Sequence, residues 1–135
     1  MARILQLNPW SLEPLARILI VDDDKLIRWS LRELLAQEGH QVETLASAEA
    51  ALGKVQTELF DLVIADLEIN DQDGVEMLKK IRGVQPGAKM IVLSAHSRNK
   101  VEFLLEDFPV GSIVEKPFRG EQIKAIAKKV LGSTN

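Results

Sequence analysis

The chain contains no cysteine. Disulfides, thiolate metal sites and cysteine nucleophiles are therefore excluded together, which is compatible with a reducing compartment. It has no long apolar run either, and none approaches the roughly 20 residues that span a bilayer. The N-terminus does not read as a signal peptide, because Gln6, Asn8 and Pro9 interrupt its apolar residues and no small-residue cleavage site follows. There is no excess of basic residues. The formal charge is -3, so the charge balance does not point to nucleic acid as a direct partner. These absences leave a cytoplasmic soluble domain, without a membrane span, as the expectation. What is present fits it: 135 residues, 46% of them apolar, are enough for one domain around one core.

Residues 1–16 stand apart. Pro9 and Pro14 break any regular element, and Trp10, Leu12 and Leu15 are scattered, which reads as an N-terminal extension or a short docking arm. From Arg17 the pattern becomes regular, and 17–132 reads as one domain. Ile18 to Val21 form a buried strand ending in Asp22-Asp23-Asp24. Ile27, Leu31, Leu34 and Leu35 then mark one face of a helix, with Asp24 as a cap and Gly39 as the stop. Gln41 to Leu45 form a second strand, and Ala48, Ala51, Leu52 and Val55 a second helix capped by Ser47.

Leu62 to Asp66 read as a third strand, buried on both faces. Asp73 and Glu76 resemble a capping box for a third helix with Val75, Leu78 and Ile81 inward, ended by Gly83 and Pro86. Met90 to Leu93 form a fourth strand ending at Ser94-Ala95. The helix after it carries Val101, Leu104, Leu105 and Phe108, with Phe103, Leu104 and Leu105 mostly core and one of them facing out. Ser112 to Glu115 form a fifth strand running into Lys116-Pro117-Phe118. A last helix turns Ile123, Ile126, Ala127 and Val130 inward and stops at Gly132. Five strands alternating with five helices argue a parallel sheet covered on both faces.

In such a sheet the strands' carboxyl ends share one edge. Asp22, Asp23, Asp66, Ser94 and Lys116 would therefore meet there. Three close carboxylates raise one another's pKa unless a cation intervenes, and oxygen-only ligands suit Mg²⁺. A carboxylate beside Mg²⁺ can attack a phosphoryl group and form an aspartyl-phosphate, with a lysine neutralising the phosphoryl oxygens and a serine donating to one. The set suffices for Mg²⁺-dependent phosphorylation of Asp66.

In this order and on these elements, Asp22-Asp23, Asp66, Asp73-Gly74, Ser94-Ala95 and Lys116-Pro117-Phe118 resemble the receiver domain of two-component response regulators. The match runs from about Arg17 to Leu131. Residues 21–31, Val-Asp-Asp-Asp-Lys-Leu-Ile-Arg-Trp-Ser-Leu, further resemble receivers of the NtrC-like branch. The resemblance implies a flavodoxin-like three-layer α/β sandwich with a five-stranded sheet of order 2-1-3-4-5. It implies Asp66 as phosphoacceptor, Asp23 as a direct Mg²⁺ ligand, Asp22 as a ligand through water and the Glu68 backbone carbonyl as a further ligand. Ser94 would be the switch hydroxyl and Lys116 the phosphate-binding lysine, preceding a cis peptide to Pro117.

The partners so implied are a sensor histidine kinase or a phosphotransfer protein, and an output domain after the last helix or a separate effector. Phosphorylation-dependent homodimerisation through the last two helices and fifth strand is implied too. The chemistry would be self-phosphorylation and autodephosphorylation rather than enzymatic turnover. The chain reads as a stand-alone receiver or the front of a longer regulator, and the NtrC-like stretch favours the second.

Several residues depart from the family pattern. Ile69-Asn70 replaces a frequent Met-Pro, which predicts a changed loop. Ile113 stands where an aromatic ring usually turns inward, so output cannot run through a ring. Glu68 and His96 occupy the variable positions two residues beyond Asp66 and Ser94, where family side chains tune phosphoryl lifetime. His40 reads as a loop residue, His96 as a rim residue, and Trp29 as packing or partner surface. Two other readings compete. Ile113 and the altered loop fit a receiver-like scaffold that binds partners without phosphorylation. Asp22-x-Asp24 resembles, weakly, the nucleophile motif of haloacid-dehalogenase-type phosphatases.

Overall fold

The structure, a computed structural model, describes residues 15–70 and 72–132, with 72 and 73 in backbone only. Expectations for the arm around Trp10 and Leu12, for Asp71 and for capping by the Asp73 side chain lie outside the described residues. The β-branched and leucine-rich runs form the strands β1 (Arg17–Val21), β2 (Gln41–Leu45), β3 (Leu62–Asp66), β4 (Lys89–Ser94) and β5 (Ser112–Glu115) of one sheet. The amphipathic segments between and after them form α1 (Lys25–Gln37), α2 (Ala48–Val55), α3 (Gly74–Val84), α4 (Arg98–Leu104) and α5 (Gly120–Leu131). A two-residue antiparallel ladder, Glu68–Ile69 with Gln72–Asp73, closes the loop after β3.

The five strands are parallel in the order 2-1-3-4-5. β3 lies at the centre with all five residues buried, as its unbroken apolar run predicts. Alternate strand residues serve opposite layers. Ile18, Ile20, Leu62, Ile64, Ile91 and Leu93 pack under α1 and α5. Leu19, Val21, Val63, Ala65, Met90 and Val92 pack against α2, α3 and the α4 region. Burying each such large side chain stabilises the fold by roughly 1.5 to 3 kcal/mol before chain entropy is counted. Together the layers form the expected α/β/α sandwich.

The helix ends follow local chemistry. Asp24 caps α1 by accepting the N–H groups of Leu26 and Ile27, and Ser47 caps α2 by accepting that of Ala50. After α1 the chain reverses at Gly39, whose φ of 96° favours glycine. Gly74 opens α3 against the chain that leaves β3. Its N–H donates to the Leu67 carbonyl at 2.9 Å, and a Cβ there would run into that carbonyl oxygen.

Four expectations need correction. Leu15 and Ala16 belong to the fold rather than to an extension: Ala16 is buried, its carbonyl accepts the Gln41 N–H, and Leu15 N–H donates to Gly39. The third helix runs past Gly83 to Val84, and it buries Met77 beside Leu78 and Ile81 while Val75 is only partly covered. After β4 the helix stops at Leu104, so Leu105 and Phe108 reach the core from the turns that follow. Phe103 and Leu104 both face solvent, 69% and 44% exposed. Of the two readings of Trp29, packing or partner surface, its 61% exposure fits the second.

Candidate functional site

β1 and β3 are hydrogen-bonded neighbours, so the acids that follow β1 and end β3 arrive side by side. One carboxylate oxygen from each of Asp22, Asp23 and Asp66 lies within 4.8 Å of the others. Asp22 is fully buried and Asp66 is 3% exposed, whereas Asp23 faces solvent. Burial of two acids is tolerated because each has partners. Asp22 Oδ1 accepts the Asp24 N–H at 2.9 Å, and Oδ2 accepts Lys116 Nζ at 3.0 Å. Asp66 Oδ1 accepts the Glu68 N–H at 3.1 Å, and Lys116 Nζ stands 3.2 Å from its Oδ2. The Arg28 guanidinium donates to the Asp22 carbonyl at 2.8 Å. It is a further cation in the setting, one to which the sequence assigns no role beyond its place in the stretch 21–31.

Lys116 comes from beyond β5, 94 positions from Asp22. The cis Lys116–Pro117 peptide that the resemblance implies is present, and Lys116 N–H donates to the Ser94 carbonyl at 2.7 Å. Burial lowers the ammonium's pKa, but the Asp22 hydrogen bond and the charges of Asp22 and Asp66 outweigh it, and the net shift is upward. The lysine is thus held charged. One ammonium does not balance the acids around it. Burial, and then the charge of Asp22, push Asp66 up to about 6, and the opposing pull of the Glu68 N–H and of Lys116 is smaller. Three hard oxygen donors with too little positive charge beside them can hold a divalent cation.

Ser94 is fully buried at the end of β4, which pairs with β3 so that Leu93 lies opposite Asp66. Its hydroxyl donates to Glu68 Oε2 at 2.8 Å and accepts the His96 N–H at 3.0 Å. Glu68 Oε1 accepts the Ala95 N–H at 3.2 Å, and His96 Nε2 lies 3.9 Å from Oε2. His96 sits on the rim, as expected. The sequence drew attention to Glu68 only for its carbonyl and its variable position, so its side-chain contact with Ser94 was missed. Asn70, a departure from the family pattern, also has a structural role. It has a φ of 50°, donates its N–H to Asp23 Oδ2 at 2.8 Å, and bonds the Ala46 carbonyl through Nδ2. A proline in its place would have no N–H to give. Ile113 is buried in the layer beneath α4.

A flavodoxin-like sheet that gathers acids and one lysine at its carboxyl edge defines a class, the CheY-like α/β modules. Residues 18–128 match the family model of the response regulator receiver domain, and the chain belongs to that family. It is 33% identical over 117 residues to sporulation initiation phosphotransferase F of Bacillus subtilis (strain 168), covering 85% of this chain and 93% of that protein. It is 32% identical over 120 residues to the transcriptional regulatory protein ZraR of Escherichia coli (strain K12), covering 87% of this chain. The chain spans only 27% of ZraR and a similar share, 26%, of the alginate biosynthesis regulator AlgB of Pseudomonas aeruginosa. Among solved structures, the CheY-like receiver domain protein of Methanospirillum hungatei JF-1 superposes with a TM-score of 0.79 at 31% identity, covering 85% of this chain and 92% of that one.

Proposed function

We propose that Asp66 is the phosphoacceptor of this receiver domain. The observation that carries this reading is the placement of Lys116 between Asp22 and Asp66, at 3.0 and 3.2 Å, at the carboxyl edge of β3. With its pKa near 6, Asp66 is mostly ionised at neutral pH. A carboxylate oxygen then attacks the phosphorus of a phosphohistidine or a small acyl phosphate. The bond to the leaving nitrogen or oxygen breaks, its electron pair stays with the donor, and an aspartyl-phosphate forms. Lys116 is placed to meet the incoming negative charge. Mg²⁺ held by Asp22, Asp23, Asp66 and the Glu68 carbonyl would neutralise the phosphoryl oxygens during transfer. The product is one modified side chain per chain, so the protein acts as a switch rather than a turnover enzyme.

The donor we infer is a histidine kinase or a phosphotransfer protein. A largely apolar groove of about 580 Å³ opens beside Lys116, with Leu26, Ile27, Leu34, Pro117 and Phe118 among its walls. A protein that brings a phosphohistidine to Asp66 would rest there, with Leu26, 69% exposed, at the rim. Output would pass through the 94–118 face to an effector or an attached output domain. The exposed Phe103 and Leu104 give that face the apolar surface a partner or a second copy needs. No helix among the described residues is long and apolar enough to cross a membrane, and a cytoplasmic site of action fits that.

Incubation with Mg²⁺ and acetyl phosphate should give one phosphoryl adduct by intact-mass spectrometry, and Asp66→Asn should give none. Absence of the adduct, or its survival in Asp66→Asn, would overturn the assignment.

A further inference from the structure

The rim above Asp66 holds a contact that phosphoryl transfer does not require. Glu68 grips the end of β4 with both carboxylate oxygens, through the Ser94 hydroxyl at 2.8 Å and the Ala95 N–H at 3.2 Å. A count of protons fixes the directions. Ser94 Oγ carries a single proton. Its contact with the His96 N–H uses a lone pair, since the amide is the donor. An ionised Glu68 can only accept. The Ser94 proton is therefore committed to Glu68, and so is the one proton of the Ala95 amide.

The same two donors neighbour the phosphoryl site. Asp66 pairs across the sheet with Leu93, so Ser94 and Ala95 are the next groups along the edge. A phosphoryl group on Asp66 carries close to two negative charges at neutral pH. It would compete for donors that cannot serve two acceptors, and it would repel the Glu68 carboxylate.

We propose that Glu68 is an anionic place-holder: it occupies the Ser94 hydroxyl and Ala95 amide in the unmodified protein and is expelled when a phosphoryl group takes them. The inference rests on Asp66 being the phosphoacceptor. It gives the chain a moving part where an aromatic ring is lacking. Ile113 is aliphatic and already 8% exposed, whereas Glu68 is one-third exposed, with His96 beside it. The change that a partner would read is then a carboxylate released to the rim.

The test is the affinity of the full chain for beryllofluoride, a tetrahedral phosphoryl mimic, at saturating Mg²⁺ by NMR titration. Glu68→Ala should bind it roughly 5- to 10-fold more tightly than wild type, because no internal anion has to leave. Glu68→Gln, which keeps one acceptor, should fall between. In a Ser94→Ala background the gain from Glu68→Ala should shrink to about two-fold or less. An unchanged or weakened affinity in Glu68→Ala overturns the proposal. So does a gain of the same size with and without the Ser94 hydroxyl, which would reduce Glu68 to simple charge repulsion. If the wild-type chain neither binds beryllofluoride nor labels on Asp66, the phosphoacceptor reading fails and this inference falls with it. Normal labelling with no Glu68 effect removes the place-holder alone.

Discussion

The two edges of the sheet are built on opposite rules. At the amino edge the polar side chains that bridge the strand starts bond to neutral or opposite partners. Gln85, 5% exposed, accepts the Phe60 N–H and donates to the Val55 and Glu58 carbonyls. Asp61 accepts the Arg17 N–H through its side chain, donates its own N–H to the Arg17 carbonyl, and accepts the Lys89 N–H, which ties the starts of β1, β3 and β4 together. At the carboxyl edge Asp22 and Asp66 share one lysine and Asp66 is pushed up to about 6. The first edge holds the sheet closed. The second keeps a charge imbalance that a cation and a phosphoryl group can use, and the fold carries the cost.

That contrast can be broken by substitution. The largest effect should come from Gln85→Ala. It strands an amide N–H and two carbonyls in the interior and should cost about 2 to 4 kcal/mol in denaturant unfolding, with the acetyl phosphate adduct on Asp66 still forming in the folded fraction. Loss of labelling without loss of stability would mean that the edges are not separable.

Asp66→Asn should act in the opposite direction. The native group near pH 6 lies above the value of about 3.9 of an unfolded aspartate. Between these values the native state holds a proton that the unfolded state has released, so wild-type stability falls as pH rises through the window and stays lowered above it. In metal-free buffer the asparagine variant should therefore be more stable by about 1 to 3 kcal/mol at pH 7 to 8, and the difference should vanish below about pH 4. A variant less stable than wild type at pH 8 would show that Lys116 already balances the acids.

The smallest effect belongs to Lys54→Ala. Lys54 reaches Glu58 at 3.1 Å and Glu43 at 3.8 Å on the surface near the amino edge. Its hydrogen bond to Glu58, then the charges of Glu43 and Glu58, raise its pKa. Water and salt screen such pairs, so the unfolding midpoint should move little in dilute buffer and not at all in high salt. A shift that persists in high salt would place this pair among the interactions that close the sheet.

The strands and most helices could be read from periodicity because burial on one face or both leaves a regular trace, as in the run Leu62 to Ala65 and the spacing of Ile27, Leu31 and Leu35. The caps at Asp24 and Ser47 were readable because capping chemistry is local. The site residues at the strand ends followed from topology: once the sheet is parallel, Asp22, Asp66, Ser94 and Lys116 share an edge. What escaped was non-local and without period. The Glu68–Ser94 bond joins the short ladder after β3 to the end of β4, 26 positions away, and the three bonds of Gln85 join a helix end to segments 25 to 30 positions away. The Phe103 to Leu105 run failed for another reason. Spacing does not say where a helix stops, and when α4 ends at Leu104 the residues after it turn inward by another geometry.

The order of the chain gives the lysine a temporal meaning. The acids at 22, 23 and 66 all precede it, and the cation that bridges two of them arrives at 116, after β5. A chain made from its N-terminus contains the acids of β1 and β3, with Arg28 beside Asp22, before the ammonium that bridges them has been added. Any species without β5 and Lys116, nascent or cleaved, carries like charges at the carboxyl edge of its sheet without the ammonium that bridges them. Docking of the last strand therefore does more than complete the sheet, since it also brings Lys116 to the acids that follow β1 and end β3.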